Sequence, residues 1–223
     1  WYVTYLTNVL QPLLRHTPDG KPFYGLLSRS SEASREEYRR ELEATVEALR
    51  CHPSIGCWVP FNEGWGQFDA AAATKQLLAL DPGRLVDEAS GWFDQGGGDV
   101  DSRHNYFYPL RVKPGVRTVA LSEYGGIAWP MPGHEPPGKT YGYGVARDRK
   151  DLTARYKKMQ LKTVLPQLRN GLSALVYTQL TDVEDEVNGL FTYDRTELKP
   201  DATAIRSINA ALAAEFARVT AES

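Results

Sequence analysis

The spacing of apolar positions changes several times along the chain, and each change predicts an element. Over residues 32–50, Tyr38, Leu42, Val46 and Leu49 share one face of a 3.6-residue repeat, which predicts a helix. Ser34 followed by Glu37 fits a capping box at its start, and His52-Pro53 stops it. The run Ile55-Gly56-Cys57-Trp58-Val59 is apolar on both faces, as a strand buried in a parallel sheet requires. A helix over 68–80 follows, closed by Asp81-Pro82-Gly83, and short strands are predicted at 84–89, 100–107 and 117–123. A long helix over 148–168 carries Leu152, Tyr156 and Met159 on one face. Leu172 to Tyr177 reads as the last strand, and 200–218 as the last helix, through Ile205, Ile208, Leu212 and Phe216.

Strands alternating with helical segments imply βαβ units and a mostly parallel sheet. Polar and aromatic residues gather at the C-terminal end of each strand. They are Asn62-Glu63, Ser90-Gly91-Trp92, His104-Asn105-Tyr106, Glu123-Tyr124-Gly125-Gly126, and Gln179 to Asp182. Chemistry at the C-terminal tips of successive parallel strands is the pattern of a (β/α)8 barrel. A doubly wound open sheet would also place ligands there, but no Gly-rich phosphate turn opens any of the helices. Five strands do not close an eight-stranded barrel, and an open edge on a buried sheet leaves backbone groups unpaired. The expected fold class is therefore α/β, a partial TIM barrel of about strands 4 to 8 filling residues 1–223, with the first three strands upstream of Trp1. The segment 125–147 is long for a connection and holds Trp129, Tyr141 and Tyr143, which marks it as functional.

A composition of 42% hydrophobic and 24% charged residues is that of an ordinary globular protein. A formal net charge of -2 gives no electrostatic reason to expect nucleic acid or an acidic membrane as partner. No apolar run approaches the roughly 18 residues that a membrane span needs. The chain begins Trp1-Tyr2-Val3 and its methionines, Met131 and Met159, are internal, so no targeting argument is available. Cys51 and Cys57 are too few for a disulfide scaffold, and Cys57 sits in a strand-like run; both points favour a reducing, cytoplasmic compartment. An oligomer is compatible with the sequence. Five Trp and twelve Tyr stand largely beside Gly, Pro, Asn or carboxylates. That mixture suits a carbohydrate, whose C–H faces stack on rings and whose hydroxyls need polar partners.

Cleaving a glycosidic bond by double displacement needs two carboxyl groups about 5–5.5 Å apart across the sugar. On a barrel they come from different strand tips, with no fixed spacing in sequence. Glu63 and Glu123 each directly end an apolar run. Glu63 stands among Phe61, Gly64 and Trp65, where partial desolvation keeps a general acid protonated. Glu123 precedes Tyr124, in a neighbourhood able to hold it ionised through hydrogen bonds.

His52-Pro53-Ser54-Ile55 through Trp58, then Asn62-Glu63, resembles the acid/base strand of glycoside hydrolase family 2, the β-galactosidases, β-glucuronidases and β-mannosidases. Leu121-Ser122-Glu123-Tyr124-Gly125 resembles that family's nucleophile strand, and the likeness extends from about residue 30 to 215. It implies Glu63 as general acid/base, Glu123 as nucleophile, and one or more β-sandwich domains upstream. It further implies that Asn62 bonds the sugar 2-hydroxyl and that Tyr106 contacts the nucleophile. Trp65, Trp92, His104 and Gln179 complete the expected substrate-binding set, with a β-glycoside as ligand and neither cofactor nor metal.

The sequence also departs from the family. Tyr177-Thr178-Gln179 stands where the family's last strand often ends in tryptophan, so the best-known members' substrate preference does not transfer. The acidic run Asp182, Glu184, Asp185, Glu186 reads as a solvated turn ahead of Asn188-Gly189 rather than a Ca2+ site. His16, His52, His104 and His134 are too scattered for a zinc site, and no Gly-x-Ser-x-Gly elbow is present. Two rivals stay open: a non-catalytic carbohydrate binder, and an inverting hydrolase with carboxyls roughly 6.5–9.5 Å apart.

Overall fold

The structure is a computed structural model that describes residues 14–26, 29–106 and 109–222. The opening Trp1-Tyr2-Val3 and residue 107, the last of the strand expected at 100–107, lie outside the described residues. The chain divides into two units, each treated by itself. The first is Trp1–His104 with Gly115–Ala120, and the second is Asn105–Pro114 with Leu121–Ser223.

In the first unit, helix α1 is Glu32–Leu49. Its N-cap is Ser31, whose hydroxyl accepts the N–H of Ser34 at 3.3 Å, so the cap lies three residues ahead of the expected box. Ser34 instead accepts from the Arg29 guanidinium at 2.7 Å. Val46 is fully buried, Tyr38 and Leu42 are half-buried, and Leu49 is exposed because the helix ends on it. Strand β1 is only Cys57–Trp58, and Val59 faces solvent. It pairs in parallel with β2, Leu85–Val86, in the register Cys57↔Leu85 and Trp58↔Val86. Pro60 has no N–H to give and interrupts the ladder. Pairing then resumes at the tip, where Asn62 bridges Ser90 in parallel.

Helix α2, Ala70–Leu80, begins after Asp69, whose own carboxyl makes no cap. The first-turn N–H of Ala70 goes to Asp19 Oδ2 at 2.9 Å, which also accepts from Gln67. Phe61, Phe68, Ala70 and Ala73 form one core cluster with Tyr24, Tyr38 and Leu42, and Val46, Leu77 and Val86 form a second. β3, Val100–Asn105, follows β2 with no helix between them, and none precedes β4, Thr118–Gly125, among the described residues. Alternation of strand and helix thus fails at both connections. The reason is local: Gly96-Gly97-Gly98 occupies one, and Pro109, Pro114 and Gly115 the other. Asp99 closes the first of these by accepting from Val86 N–H and donating to Val86 C=O, both at 2.8 Å. β4 begins in the first unit and ends in the second.

In the second unit, α3 (Arg149–Lys158) widens into a π turn, Met159–Val164, and continues as α4, Leu165–Leu168. The widening stands just ahead of Pro166, which cannot supply an interior helical N–H. It places buried Gln160 so that its amide donates to Tyr124 at 2.9 Å. Strand β5 is Leu172–Thr178 and helix α5 is Ala202–Ala221. Tyr156, Ile205 and Ile208 form the core here with Met159 and Tyr177, while Phe216 is exposed rather than packed inward.

The acidic run after β5 is not a solvated turn throughout. Glu184 and Asp185 are exposed, but Asp182 is 4% exposed and pairs with Lys199, which is fully buried. Lys199 Nζ donates to Asp182 Oδ1 at 2.7 Å and to the carbonyls of Val187 at 2.9 Å and Trp129 at 3.1 Å. Burial pushes the Asp182 carboxyl up and the Lys199 ammonium down, and each partner opposes the other's shift. One cation therefore ties the connection after β4 to the one after β5. We predict that Lys199→Met, which leaves buried Asp182 without its cation and with only the Gly189 N–H as donor, lowers stability by about 3–5 kcal/mol. Adding Asp182→Asn to that variant returns part of the loss, as read by urea denaturation; a neutral single substitution would contradict this account.

Candidate active site

Pairing of the β1 and β2 tips decides where Glu63 stands. Ser90 N–H donates to Phe61 C=O at 2.9 Å, and Glu63 N–H donates to Ser90 C=O at 3.0 Å. Glu63 itself has a left-handed backbone, φ 53°, followed by Gly64 at φ 70°. Its side chain keeps 17% exposure, and its Oε1 lies 3.0 Å from His104 Nδ1. The other imidazole nitrogen, Nε2, lies 2.9 Å from the Ser90 hydroxyl. His104 is buried, and Asp87 lies close enough to feel its charge. Burial raises the Asp87 carboxyl, although a Ser102 hydrogen bond opposes the rise.

Of the two aromatic residues that flank Glu63 in sequence, one packs in the core and the other faces solvent. The Phe61 ring stacks on Tyr38 at 5.0 Å in the core, and Trp65 is 58% exposed. Asn62 is exposed on the bridge to Ser90. Trp92 is buried against Phe93 and Leu14, and its Nε1 is buried with no hydrogen-bond partner among the described residues.

In the second unit, Glu123 Oε2 accepts a hydrogen bond from Tyr106 OH at 2.7 Å. The Thr178 hydroxyl lies 3.1 Å from the same phenolic oxygen. Tyr106, not Tyr124, is thus the tyrosine on this carboxylate. Tyr124 is buried and its phenol is bonded to Gln160. Alternation along β4 explains the difference, since successive side chains leave opposite faces of a strand. Tyr106 stacks on Tyr143 with ring centroids 4.3 Å apart, and Tyr143 meets Tyr141 edge-on at 5.5 Å. The long 125–147 segment therefore delivers its aromatics beside the Glu123 partner. Gln179 donates to Asn188 Oδ1 at 2.8 Å and to Glu186 Oε2 at 3.1 Å, and buried Asn188 donates to the same Glu186 oxygen.

No family model and no curated protein matches the chain. Solved structures do match. The chain is similar to the crystal structure of an FMN-binding β-glucuronidase from Facaelibacterium prausnitzii L2-6, at a TM-score of 0.55 and 19% identity, covering 83% of this chain and 33% of that one. The apo structure of Bacteroides uniformis β-glucuronidase 3 aligns at a TM-score of 0.49 and 16% identity, covering 78% of this chain and 27% of that one. The fold of this chain resembles part of the first of these structures. It is a mixed α/β arrangement with parallel strand pairing, compatible with part of a barrel. The chain spans about a third of the length of the first of these structures.

Ser90, Thr178, Glu186 and Asn188 are site neighbours that sequence reasoning did not single out. Ser90 had a signal, because it stands at a strand tip in Ser90-Gly91-Trp92. Thr178 and Asn188 had none, since their partners are far away in sequence.

Burial, the Glu123 charge and the Glu123 hydrogen bond all raise the Tyr106 phenol, so it remains a donor throughout the physiological range. In an alkaline titration followed by tyrosinate absorbance, Tyr106→Phe is expected to match the parent up to about pH 11, where an ordinary tyrosine is mostly ionised. A loss of one tyrosinate equivalent at that pH would contradict the assignment.

Proposed function

We propose that this chain carries both catalytic carboxylates of a retaining β-glycosidase related to glycoside hydrolase family 2. The observation that carries the reading is the pair of partners the two glutamates have. Glu63 is bound by His104 and Glu123 by Tyr106. His104 and Tyr106 are separated only by Asn105 in the sequence. Two carboxyls, each with a hydrogen-bonding partner of its own, suit the two roles of a double displacement.

The step balances as a double displacement. A Glu123 oxygen attacks the anomeric carbon as the bond to the leaving oxygen breaks, and Glu63 gives that oxygen its proton. Glu63, now a carboxylate, then takes a proton from water, whose oxygen displaces Glu123 and restores both groups. Tyr106 donates to Glu123 and steadies it as a carboxylate before attack and after release. Asn62, exposed at the strand tip, suits a bond to the 2-hydroxyl. Trp65 offers an exposed ring for stacking. Gln179 is held in a network with Glu186 and Asn188, and in this reading its amide oxygen accepts from a sugar hydroxyl.

The substrate class is a terminal β-glycoside, attacked from the non-reducing end. The solved neighbours are β-glucuronidases, so an aryl β-glucuronide is tested beside a β-galactoside and a β-mannoside. In this reading the remaining barrel strands and the β-sandwich domains belong to the parent protein, whose complete chain is the material to assay.

Glu63→Gln is expected to slow alkyl glycosides about 100-fold or more, and a dinitrophenyl glycoside, whose leaving group needs no proton, less than about tenfold. Glu123→Gln is expected to abolish turnover of both. A 2-fluoro glycoside should add its sugar mass to the peptide that contains Glu123. Absence of that adduct in the complete protein, with tight sugar binding retained, would instead establish a carbohydrate-binding protein.

A further inference from the structure

Glu63 is held by a closed ring of hydrogen bonds that its role as an acid does not by itself require. Its N–H donates to Ser90 C=O at 3.0 Å, the Ser90 hydroxyl meets His104 Nε2 at 2.9 Å, and His104 Nδ1 returns to Glu63 Oε1 at 3.0 Å. Three strand tips thus contribute one residue each. The imidazole has no room to turn over. The His104 side chain is 0% exposed, and a Cβ added at Gly91, where φ is +80°, would lie 2.3–2.7 Å from its ring atoms.

A neutral imidazole has one donor nitrogen and one acceptor, so the ring of bonds runs in one of two directions. In one, a protonated Oε1 donates to Nδ1, and the proton the reaction needs is spent on His104. In the other, Ser90 donates to Nε2 and Nδ1–H donates to Oε1. Oε1 is an acceptor in both the acid and the carboxylate, so that second arrangement survives the whole cycle. The proton then resides on Oε2. We propose that Ser90 and His104 are positioning residues that fix this direction, and so fix which oxygen of Glu63 carries the catalytic proton. This rests on Glu63 being the acid/base.

Asp87 and Glu63 are charged groups of this unit close to His104, the Ser90 hydroxyl meets its Nε2, and Ser102 is bonded to Asp87.

The test uses kcat/KM of the complete protein on an alkyl and a dinitrophenyl glycoside. Ser90→Ala keeps the imidazole in place and is expected to cost about tenfold on the alkyl substrate and less than about threefold on the activated one. His104→Ala costs more in the same pattern, and His104→Asn, whose amide nitrogen replaces Nδ1, restores most of the loss. Equal losses on the two substrates mean a packing role, and no rescue by His104→Asn means that Nδ1 was not the donor. Either result overturns the proposal. Glu63→Gln, run alongside, separates the two levels. If it shows no leaving-group dependence, the glycosidase reading fails and this inference falls with it. If it shows that dependence while Ser90 and His104 variants behave like the parent, only the positioning role is lost.

Discussion

The backbone hydrogen bond from Glu63 N–H to Ser90 C=O is the contact on which the first half of the site depends. Parallel register from Cys57↔Leu85 onward brings Asn62 opposite Ser90, and Pro60 interrupts the ladder without shifting it. Slipping that register by one residue would turn Glu63 to the other face of the sheet and present a different side chain to His104. The short observed strands are thus no defect. What matters is the pairing at the tip, and the tip is held by two backbone bonds, from Ser90 and from Glu63.

Beneath that tip, unit one relies on a charged junction. Asp94 takes a bidentate pair from Arg117, at 2.8 and 2.7 Å, and a further bond from Arg15 at 3.0 Å. Burial pushes the Asp94 carboxyl up, but the Arg117 and Gly96 hydrogen bonds and the two guanidinium charges outweigh it and leave it below the usual range. A carboxyl depressed in this way contributes stability above its unfolded value near pH 4, and that contribution is lost as pH falls through the folded value. Unit two has its own counterpart in Lys199, which ties residues 129, 182 and 187. Both devices do for glycine-rich loops what a hydrophobic core does for helices, because such loops have few apolar side chains to bury.

Much of this was legible in the amino-acid order. Helix faces, the five strand positions and the two glutamates at strand tips follow from periodicity and from apolar runs that end in carboxylates. Tyr106 as the partner of Glu123 followed from resemblance. The misreadings share a cause. Ser34 was read as the cap because it precedes a Glu by three residues, whereas Ser31 occupies the cap. Asp182 was read as solvated because its neighbours are acidic, whereas its partner Lys199 lies seventeen residues on. Phe61 was placed beside Glu63 because it adjoins it in sequence, whereas its ring stacks on Tyr38 and the hydrogen-bond partner of Glu63 is His104, forty-one residues away. Local pattern reports propensity and burial; it does not report which distant group completes a hydrogen bond.

The backbone of Glu63 shows why that distant contact matters. A non-glycine residue at φ 53° carries a strain of order 1–3 kcal/mol and persists only where its surroundings over-determine it. Gly64 follows at φ 70° with no room for a side chain, since a Cβ there would lie 2.2 Å from the Phe93 ring. The left-handed backbone at this point is shared by Glu63 and Gly64. A single hydrogen bond is worth only about 0.5–1.5 kcal/mol net, so neither the Ser90 carbonyl nor the His104 ring holds that conformation alone. Together they bind the same residue at both its backbone and its side chain. The strained turn is then a consequence of placing an acid, rather than an accident of the loop.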